Sequence, residues 1–405
     1  MKTIKTAVQI GAGNIGRGFM GQIFGDSGYR IVFIDVNQAL VDEINARGQY
    51  RIELVDNQGV TCKTIRRVSA VSGKETEKAA EAIAGADIMA ISVGVAALEK
   101  IAPLLTAGFR RRWRDGNFHP LNILVCENLL DAPVYVKKLL QADLSPEEHE
   151  FLDRTVGLVE TSIGRMVPGG NLGSGEDMLA IKVEPYCSLP VDREGFIGGA
   201  PGLKYLESFS PFRYYIQRKL FVHNAGHAVL AYGGWCLGKK YIWEAVEDDN
   251  LRHICLSMLR EVAAALEAEH GVDREITMEH VRDLLRRFAN KALGDTVERV
   301  GRDTRRKLGP EDRLIGAFRL LKRHHLNTQA VPLVVAAALY FAPRGDEGSR
   351  CVRDLLLRRG LAPVLEEVCG LNPAEKEELL PAVTGLYKAL GGNPAGVFTD
   401  MRGKL

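Results

Sequence analysis

The sequence has almost no excess of charge and no long apolar run. Its 53 lysines and arginines nearly balance 51 aspartates and glutamates, for a net charge of +2, so it lacks the broad positive field that holds a nucleic-acid backbone. No stretch approaches the roughly 20 apolar residues of a membrane span, and the apolar run 7–10 is too short for the core of a signal peptide. We therefore expect a cytoplasmic protein with no nucleic-acid and no membrane partner.

Cysteines are few and scattered. There are seven in 405 residues, an odd number, and none stands in the C-x-x-C spacing that binds structural zinc or forms a redox pair. This pattern favours a reducing compartment and predicts no bound metal. The remaining composition, 46% hydrophobic and 26% charged, is that of an ordinary globular chain whose length suits about two domains.

The two halves of the chain differ in their predicted secondary structure. Up to about residue 200, short β-rich runs alternate with helical patterns, which is typical of parallel βαβ units. Beyond Gly202, long segments with helical periodicity are separated by Gly, Pro and Asn. The predicted strands cover residues 7–10, 30–35, 87–93, 121–126 and 156–159, with a hairpin over 50–60. The predicted helices of the second half cover 243–269, 278–288, 314–321, 330–341 and 375–390.

A glycine-rich turn follows the first predicted strand and opens an amphipathic helix. Its pattern is G-x-G-x-x-G, in which the first glycine permits the tight turn, the second lets the backbone approach a pyrophosphate and the third allows close packing of helix on strand. The helix amino terminus favours an anion. This context distinguishes the motif from a plain turn. The sequence therefore predicts a dinucleotide site formed by Gly11, Ala12, Gly13, Asn14, Ile15 and Gly16.

An acidic residue at the end of the second predicted strand extends this site. Asp35 lies 22 residues beyond Gly13 (35 minus 13), where a carboxylate accepts from the ribose hydroxyls and repels a 2′-phosphate. We therefore expect NAD rather than NADP, with Asn37 assisting; the alternative is that Asp35 only caps the next helix. Val93 and Gly94 follow a later strand and are expected to line the same crevice, although Gly94 fits a plain turn equally well.

These features predict an α/β fold. We expect an amino-terminal Rossmann-type domain with a doubly wound, mostly parallel sheet over residues 1–202, followed by an all-α carboxy-terminal domain over residues 203–405. The connecting stretch 188–202 is rich in Gly and Pro, as segments between domains often are. The assembly is expected to be a monomer or a small homo-oligomer.

The most informative segment of the second half runs from residue 218 to 228. At about 100° per residue on an α-helix, Asn224 falls near 140° and His227 near 80° from Lys219, so these three side chains are predicted to face one cleft. A lysine that acts as a base needs a pKa lowered to around 7–8 by burial and neighbouring cations. Arg218 and His223 are such neighbours. The alternative is a solvated lysine beside structural histidines.

The sequence resembles the polyol-specific long-chain dehydrogenases from residue 6 to beyond residue 314. The similar segments are residues 11–19, Asp35-Val36-Asn37, Cys126-Glu127-Asn128, residues 297–314, and the signature K-x-x-x-x-N-x-x-H at Lys219, Asn224 and His227. The chain departs from the family pattern at Gly164, where an acidic residue is usual, at His223, and in residues 303–305, which lack a proline.

This resemblance implies hydride transfer between NAD and a pair formed by a sugar-alcohol phosphate and a ketose phosphate. The expected pair is mannitol 1-phosphate and fructose 6-phosphate. The resemblance also implies the site residues: Lys219 as general base, Asn128 and Asn224 to polarise the substrate oxygen, and His227 to orient the substrate. Members of this kind need no zinc.

A phosphorylated substrate also needs cationic side chains, and guanidinium groups suit phosphate oxygens. A basic cluster lies in the later segment and contains Arg299, Arg302, Arg305, Arg306, Lys307 and Arg313. We select Arg299, Arg302 and Arg306 as the residues that bind the phosphate. The alternative is a solvated helix end with local ion pairs.

Three other functions fit parts of the sequence. A hexuronate reductase of the same family, acting on fructuronate or tagaturonate, would use the basic cluster to bind a carboxylate. An NAD-dependent, non-redox phosphoglycosidase also joins a Rossmann domain to a helical one, but it would want a divalent metal held by Cys and His, and the sequence has no such pair near Asn128 or Lys219. A catalytically silent regulator would bind NADH without turning over a carbonyl substrate.

Overall fold

The computed structural model describes residues 4–168 and 177–405. The chain forms two compact units, Met1–Ile216 and Gln217–Leu405. The strands of the described residues are β1 (Thr6–Ile10), β2 (Arg30–Asp35), β3 (Gln49–Asp56), β4 (Gly59–Arg66), β5 (Val68–Ser72), β6 (Ile88–Ile91), β7 (Leu121–Val125), β8 (Val156–Glu160), β9 (Ile181–Val183), β10 (Leu189–Asp192) and β11 (Leu206–Phe209).

The helices of the first unit connect these strands. One of them begins with a π-helical segment, π1 (Gly16–Met20), that continues directly into α1. The α-helices are α1 (Gly21–Asp26), α2 (Gln38–Arg47), α3 (Thr76–Ala84), α4 (Val95–Arg114), α5 (Ala132–Asp143) and α6 (Pro146–Thr155).

Six strands form the main sheet, in the order β5-β2-β1-β6-β7-β8. Every neighbouring pair in it is parallel. This is the strand order of a doubly wound dinucleotide-binding domain, in which the order reverses on either side of the first strand and ligands bind beyond the carboxyl ends. The predicted fold of the first half is therefore confirmed.

Alternating side chains of the central strands enter two separate cores. In β1 and β2, Ala7 and Phe33 belong to the core on one face of the sheet, whereas Val8 and Ile34 belong to the core on the other. Successive side chains of a strand point to opposite faces. A sheet buried on both faces therefore needs nearly continuous apolar strands, which is why these runs are visible in the sequence.

Two smaller sheets complete the first unit. The predicted hairpin is present as β3 and β4, paired from Gln49↔Arg66 to Asp56↔Gly59. The Asp56 carboxylate fixes its turn by accepting from the N–H groups of Gln58 and Gly59, at 2.8 and 3.1 Å. β9 joins the hairpin in parallel with β3. β10 and β11 form a parallel pair, so residues 206–209 belong with the first unit; the predicted domain boundary after residue 202 stays a prediction.

The second unit is helical, and residues 217–405 contain no strand. A π-helical segment, π2 (Arg218–Asn224), joins the first two helices, and Lys291–Leu293 is a 3₁₀ turn. The α-helices are α7 (Arg213–Gln217), of which only Gln217 belongs to this unit, α8 (Ala225–Cys236), α9 (Ile242–Glu247), α10 (Asp249–His270), α11 (Arg274–Phe288), α12 (Val297–Gly301), α13 (Thr304–Lys307), α14 (Ile315–Arg323), α15 (Ala330–Ala338), α16 (Glu347–Arg359), α17 (Leu361–Glu367), α18 (Pro373–Gly392) and α19 (Pro394–Arg402).

One predicted helix is divided in two. The pattern 243–269 is interrupted at Asp248, whose carboxylate accepts from the N–H groups of Asn250 and Leu251, both at 3.2 Å, and so begins α10. Aspartate competes with helix continuation because it is a strong amino-terminal cap. α10 ends at Gly271, which has a φ of 67°. Among the described helices, none is long and apolar enough to cross a membrane.

Candidate active site

Each of the three glycines in the turn after β1 is explained by a different feature of the structure. Gly11 has a φ of 88°, and a Cβ there would lie 2.5 Å from the carbonyl oxygen of Ser92. A Cβ on Gly16 would lie 2.0 Å from the Gly11 oxygen, so this glycine permits close packing of the helix on the turn. A Cβ on Gly13 would meet nothing within 4 Å. Gly13 thus leaves open space at the point where the motif requires the backbone to approach a pyrophosphate.

The other residues of the turn are held by the surrounding structure. The Ala12 side chain is fully buried, and Ile15 packs against the same core, so these two side chains serve packing. The Asn14 amide donates to the carbonyl of Pro168 at 3.3 Å. In this turn, the groups available to a ligand are therefore mainly backbone groups.

Asp35 stands at the end of β2 and binds the turn directly. Its Oδ2 accepts from the Ala12 N–H at 2.7 Å, and its Oδ1 accepts from the Asn37 N–H at 2.9 Å. The cap of α2 is Asn37, whose side chain accepts from the Leu40 N–H at 3.3 Å. A carboxylate has about four acceptor sites, so Asp35 retains capacity for ribose hydroxyls.

Val93 and Gly94 follow β6 at the same edge of the sheet. Their N–H groups donate to one oxygen of Glu127, at 2.7 and 3.0 Å, and Gly94 has a φ of 86°. Burial raises the pKa of Glu127, and these two hydrogen bonds oppose that rise. The turn is therefore shaped by Glu127, which comes just before the exposed Asn128 at the end of β7.

The segment that carries Lys219 is π-helical, not α-helical as its spacing predicted. A π-helix forms hydrogen bonds from each N–H to the carbonyl five residues earlier, and Asn224 is five residues after Lys219. The two residues are thus one hydrogen-bonded turn apart, and the predicted angle of about 140° between them, which assumed an α-helix, is wrong. Both side chains are partly buried.

Two buried imidazoles lie beside this segment. His223 and His227 have ring centroids 5.5 Å apart, and His227 stacks on Phe288 at 4.1 Å. Burial holds the pKa of both histidines well below the usual range; positive charge lowers it further, from Arg287 for His223 and from Arg299 for His227. Both rings are therefore neutral near pH 7, and His223 Nδ1 and His227 Nε2 have no hydrogen-bond partner in the described part of the chain.

A buried carboxylate lies close to His227 and binds one of the predicted arginines. Asp295 is 6% exposed and receives two hydrogen bonds from Arg299, at 2.6 and 2.7 Å. Its Oδ2 lies 3.8 Å from His227 Nε2, an atom with no hydrogen-bond partner among the described residues. Of the selected arginines, Arg299 is thus the one that the structure brings next to the signature residues.

The other two selected arginines form ion pairs with nearby carboxylates. Arg302 binds Glu298 at 3.0 Å. Arg306 binds Asp303 at 2.6 Å and Asp312 at 3.2 Å. The alternative of local ion pairs therefore describes the observed state of all three arginines.

Two protein-family models together match most of the chain. The mannitol dehydrogenase Rossmann domain matches residues 5–205, and the mannitol dehydrogenase C-terminal domain matches residues 212–383. The chain belongs to the mannitol dehydrogenase family. This confirms the resemblance to polyol-specific dehydrogenases and the expectation of a dehydrogenase.

Relatives within the mannitol dehydrogenase family are similar over nearly the whole chain. The mannitol-1-phosphate 5-dehydrogenase of Bacillus pumilus is 36% identical over 375 residues, which are 91% of this chain and 96% of the relative. The enzyme of the same name from Bacillus subtilis is 35% identical over 373 residues, again 91% and 96%.

Two solved structures of polyol dehydrogenases share the fold. Mannitol 2-dehydrogenase of Pseudomonas fluorescens, in a ternary complex with NAD and D-mannitol, superposes with a TM-score of 0.81 at 15% identity and covers 100% of this chain and 95% of its own. A D-sorbitol dehydrogenase gives 0.80 at 17% identity, with coverage of 98% and 95%.

Three residues of this region, Glu127, Asp295 and Lys307, have no role assigned from the sequence. Glu127 is noted there only within the motif Cys126-Glu127-Asn128. Asp295 precedes Arg299 by four residues, a spacing that favours an ion pair on a helix. Lys307 is named only in the basic cluster; it is buried, its Nζ donates to the Val300 carbonyl, and burial followed by the Arg313 charge lowers its pKa to about 7.

The departure at Gly164 has a local explanation. A Cβ at this position would lie 3.3 Å from Cε1 of Tyr186, so a larger side chain would need this ring to move. The next residue, Arg165, is buried and donates to the Gly18 carbonyl at 2.9 Å. Among residues 4–168 and 177–405 no group of three or more His, Cys, Asp or Glu side chains could hold a metal ion; the expectation of no metal stays a prediction.

Proposed function

We propose that the protein interconverts a sugar-alcohol phosphate and a ketose phosphate with NAD, and that the pair is mannitol 1-phosphate and fructose 6-phosphate. The observation that carries this proposal is the identity of 35–36% to relatives named mannitol-1-phosphate 5-dehydrogenase, over 91% of the chain. The reaction class follows from the family, and the phosphorylated substrate follows from the names of these relatives.

The first unit has the features that NAD requires. The open side of Gly13 supports close approach of a pyrophosphate, and the position of the Asp35 carboxylate at the end of β2 supports a contact with the ribose hydroxyls. Asp35 also disfavours a 2′-phosphate by charge repulsion. Gly11, Ala12, Asn14, Ile15 and Gly16 shape the turn, and we propose that Asn37, Val93 and Gly94 line the cofactor crevice.

The nicotinamide ring, when bound, accepts the hydride from the alcohol carbon or returns it to the ketone. In oxidation, Lys219 Nζ takes the hydroxyl proton as the hydride leaves, and in reduction it returns this proton. The amides of Asn128 and Asn224 donate to the substrate oxygen and stabilise the negative charge that develops there. His227, a neutral imidazole, orients a substrate hydroxyl by hydrogen bonding.

We further propose that the selected arginines bind the phosphate by exchanging their present partners. Arg302 is the best candidate of the three, because its partner Glu298 lies in an exposed pair and such pairs contribute only about 0–1 kcal/mol. Arg299 would have to leave the buried Asp295, and Arg306 would have to leave two carboxylates. The cost of exchange therefore rises from Arg302 to the other two.

A substrate comparison tests the proposal. The loss of NADH absorbance is followed with fructose 6-phosphate, with unphosphorylated fructose and with fructuronate, with and without a chelator. We expect rapid oxidation with fructose 6-phosphate alone, unaffected by the chelator. Activity only with fructuronate would move the protein to the hexuronate reductases. NADH binding without turnover of any of the three would overturn the proposed reaction.

A further inference from the structure

A buried arginine lies directly behind the glycine-rich turn. Arg17 is 5% exposed, and it is the residue after Gly16 at the start of π1. Its Nε donates to the Ala12 carbonyl at 2.7 Å, and its Nη1 donates to the carbonyls of Leu179 and Met178, at 2.6 and 3.2 Å. One guanidinium therefore links the turn to the segment that enters β9.

The peptide groups of Ala12 are held from both sides. Its N–H donates to Asp35 at 2.7 Å, while its carbonyl accepts from Arg17 at 2.7 Å. A continuous path of hydrogen bonds thus runs from the Asp35 carboxylate through Ala12 to Arg17 and on to Leu179. The Arg17 carbonyl itself accepts from the hydroxyl of the buried Tyr50 at 2.7 Å, which fixes this part of π1 as well.

The burial of Arg17 is costly unless its charge is compensated. Among the described residues it forms no ion pair within 4.0 Å, and its side chain donates to backbone carbonyls. Burial lowers the pKa of Arg17, although the negative charge of Asp35 opposes this. An arginine remains protonated even so, and among the described residues the carboxylates that partly compensate its charge, Asp35 and Asp177, form no ion pair with it. A bound anion near the turn would compensate that cost.

We propose that Arg17 is a positioning residue for the dinucleotide, which fixes the Ala12 peptide and adds positive charge behind the turn where the pyrophosphate binds. This inference rests on the proposed NAD binding. It predicts two separable contributions. The N–H groups of the Arg17 guanidinium hold the turn in its conformation by hydrogen bonds, and the positive charge of the guanidinium attracts the pyrophosphate.

A second buried arginine, Arg112, serves as a matched control, because it lies at the amino ends of the strands of the same sheet. Arg112 is 4% exposed and donates to the carbonyls of Ala84, Ala86 and His119, at 2.7, 3.0 and 3.2 Å. Residues 86 and 119 precede β6 and β7 at the amino ends of the strands, away from the carboxyl ends where ligands bind. Loss of Arg112 should therefore cost stability in a similar way without affecting the cofactor.

The experiment compares Arg17→Met, Arg17→Lys and Arg112→Met with the wild type. NADH dissociation constants are measured by fluorescence titration at low and high salt, and thermal unfolding is followed in parallel. We expect NADH binding about tenfold weaker in Arg17→Met, since hydrogen bonds from charged groups have that order of effect. Arg17→Lys keeps the charge but not the fork, so we expect about threefold weaker binding.

The salt dependence separates positioning from a purely structural role. Because salt screens a buried charge only weakly, Arg17→Met should lose a small part of the salt dependence of NADH binding, and Arg17→Lys should keep it. Arg112→Met should lower the unfolding temperature but leave the NADH affinity within about twofold. Equal NADH affinity in Arg17→Met, Arg112→Met and the wild type, or equal weakening in both methionine variants, would overturn the inference. Failure of the wild type to bind NADH would instead overturn the proposed function on which it rests.

Discussion

The two candidate regions, one in each unit, are built in opposite ways. In the first unit, the turn after β1 presents backbone groups, and its conformation depends on glycines and on one carboxylate, Asp35. In the second unit, π2 presents side chains, among them Lys219 and the buried His223, and His227 follows on α8. A backbone surface suits a ligand that is bound unchanged, whereas titratable side chains suit proton transfer.

The difference implies that the two regions fail differently when they are altered. Changes in the first region should weaken cofactor binding and leave the chemical step intact. Changes in the second should slow the chemical step and leave cofactor binding intact. Substitutions at Lys219 and Asp35 test this division, and one at Glu160 tests whether titration is confined to the second unit.

The largest effect is expected at Lys219. Lys219→Ala removes the proposed proton acceptor, so turnover should fall by about a hundredfold or more, within the range of general acid–base catalysis. The NADH dissociation constant, measured by titration, should stay within about twofold. Lys322→Ala is the control, because this lysine forms an exposed pair with Glu378. Unchanged turnover in Lys219→Ala would remove the assignment of Lys219 as the base.

A smaller effect is expected at Asp35. Asp35→Ala should weaken NADH binding about tenfold, since it removes a charged acceptor, and should reduce the preference for NADH over NADPH. Turnover at saturating cofactor should change little. Both cofactors are titrated against the variant and against Asp42→Ala, which changes an exposed aspartate on α2. An unchanged cofactor preference would contradict the proposed contact with the ribose.

The smallest effect is expected at Glu160. This side chain belongs to the first unit, but its pKa is shifted to near neutral pH, as expected for the proton-transferring groups of the second unit. It stands at the end of β8, and burial, followed by the charge of Asp131, raises its pKa from 4.5 to about 7. The folded state therefore binds the proton more tightly than the unfolded state. This contribution to stability is complete below about pH 4.5 and is lost as the pH rises through about 7.

Glu160→Gln should remove the loss of stability that accompanies deprotonation of Glu160. Its free energy of unfolding relative to the wild type should rise between about pH 5 and 8 by on the order of 1 kcal/mol once solvent screening is allowed for, as measured by denaturant titration at several pH values. Glu150→Gln, at an exposed position on α6, should show no such trend. A wild-type stability that is independent of pH in this range would contradict the buried, protonated Glu160.

Much of the fold was predictable because a sheet that is buried on both faces consists of strands that are nearly continuous apolar runs. The five predicted strands of the main sheet are apolar runs such as Arg30–Asp35, which agrees with β2. The sixth strand, β5 (Val68–Ser72), was missed because two of its five residues are serines, which leaves no continuous apolar run. β9, β10 and β11 were missed as well, since runs of three or four residues carry little periodicity.

The cofactor region was also predictable, because glycine spacing and Asp35 depend on local backbone geometry. The second region was less so. Its π-helical hydrogen bonding leaves no pattern in the sequence, and the assumed α-helix gave the wrong angle between Lys219 and Asn224. The ion pairs of the arginines depend on which carboxylates the fold brings near them; Arg306 reaches Asp312, six residues on.

Both regions adjoin a π-helical segment: π1 follows the turn after β1, and π2 carries Lys219. Each turn of such a segment contains about one residue more than an α-helical turn, so π2 acts as an insertion that the helix absorbs without a loop. Removing one residue from 218–224 would restore α-helical hydrogen bonding and leave the turns on either side nearly in phase, whereas removing one residue from a regular α-helix turns all that follows by about 100°. Relatives should therefore tolerate a one-residue gap within 218–224 better than a gap in α8, where it would change which side chains share a face of the helix.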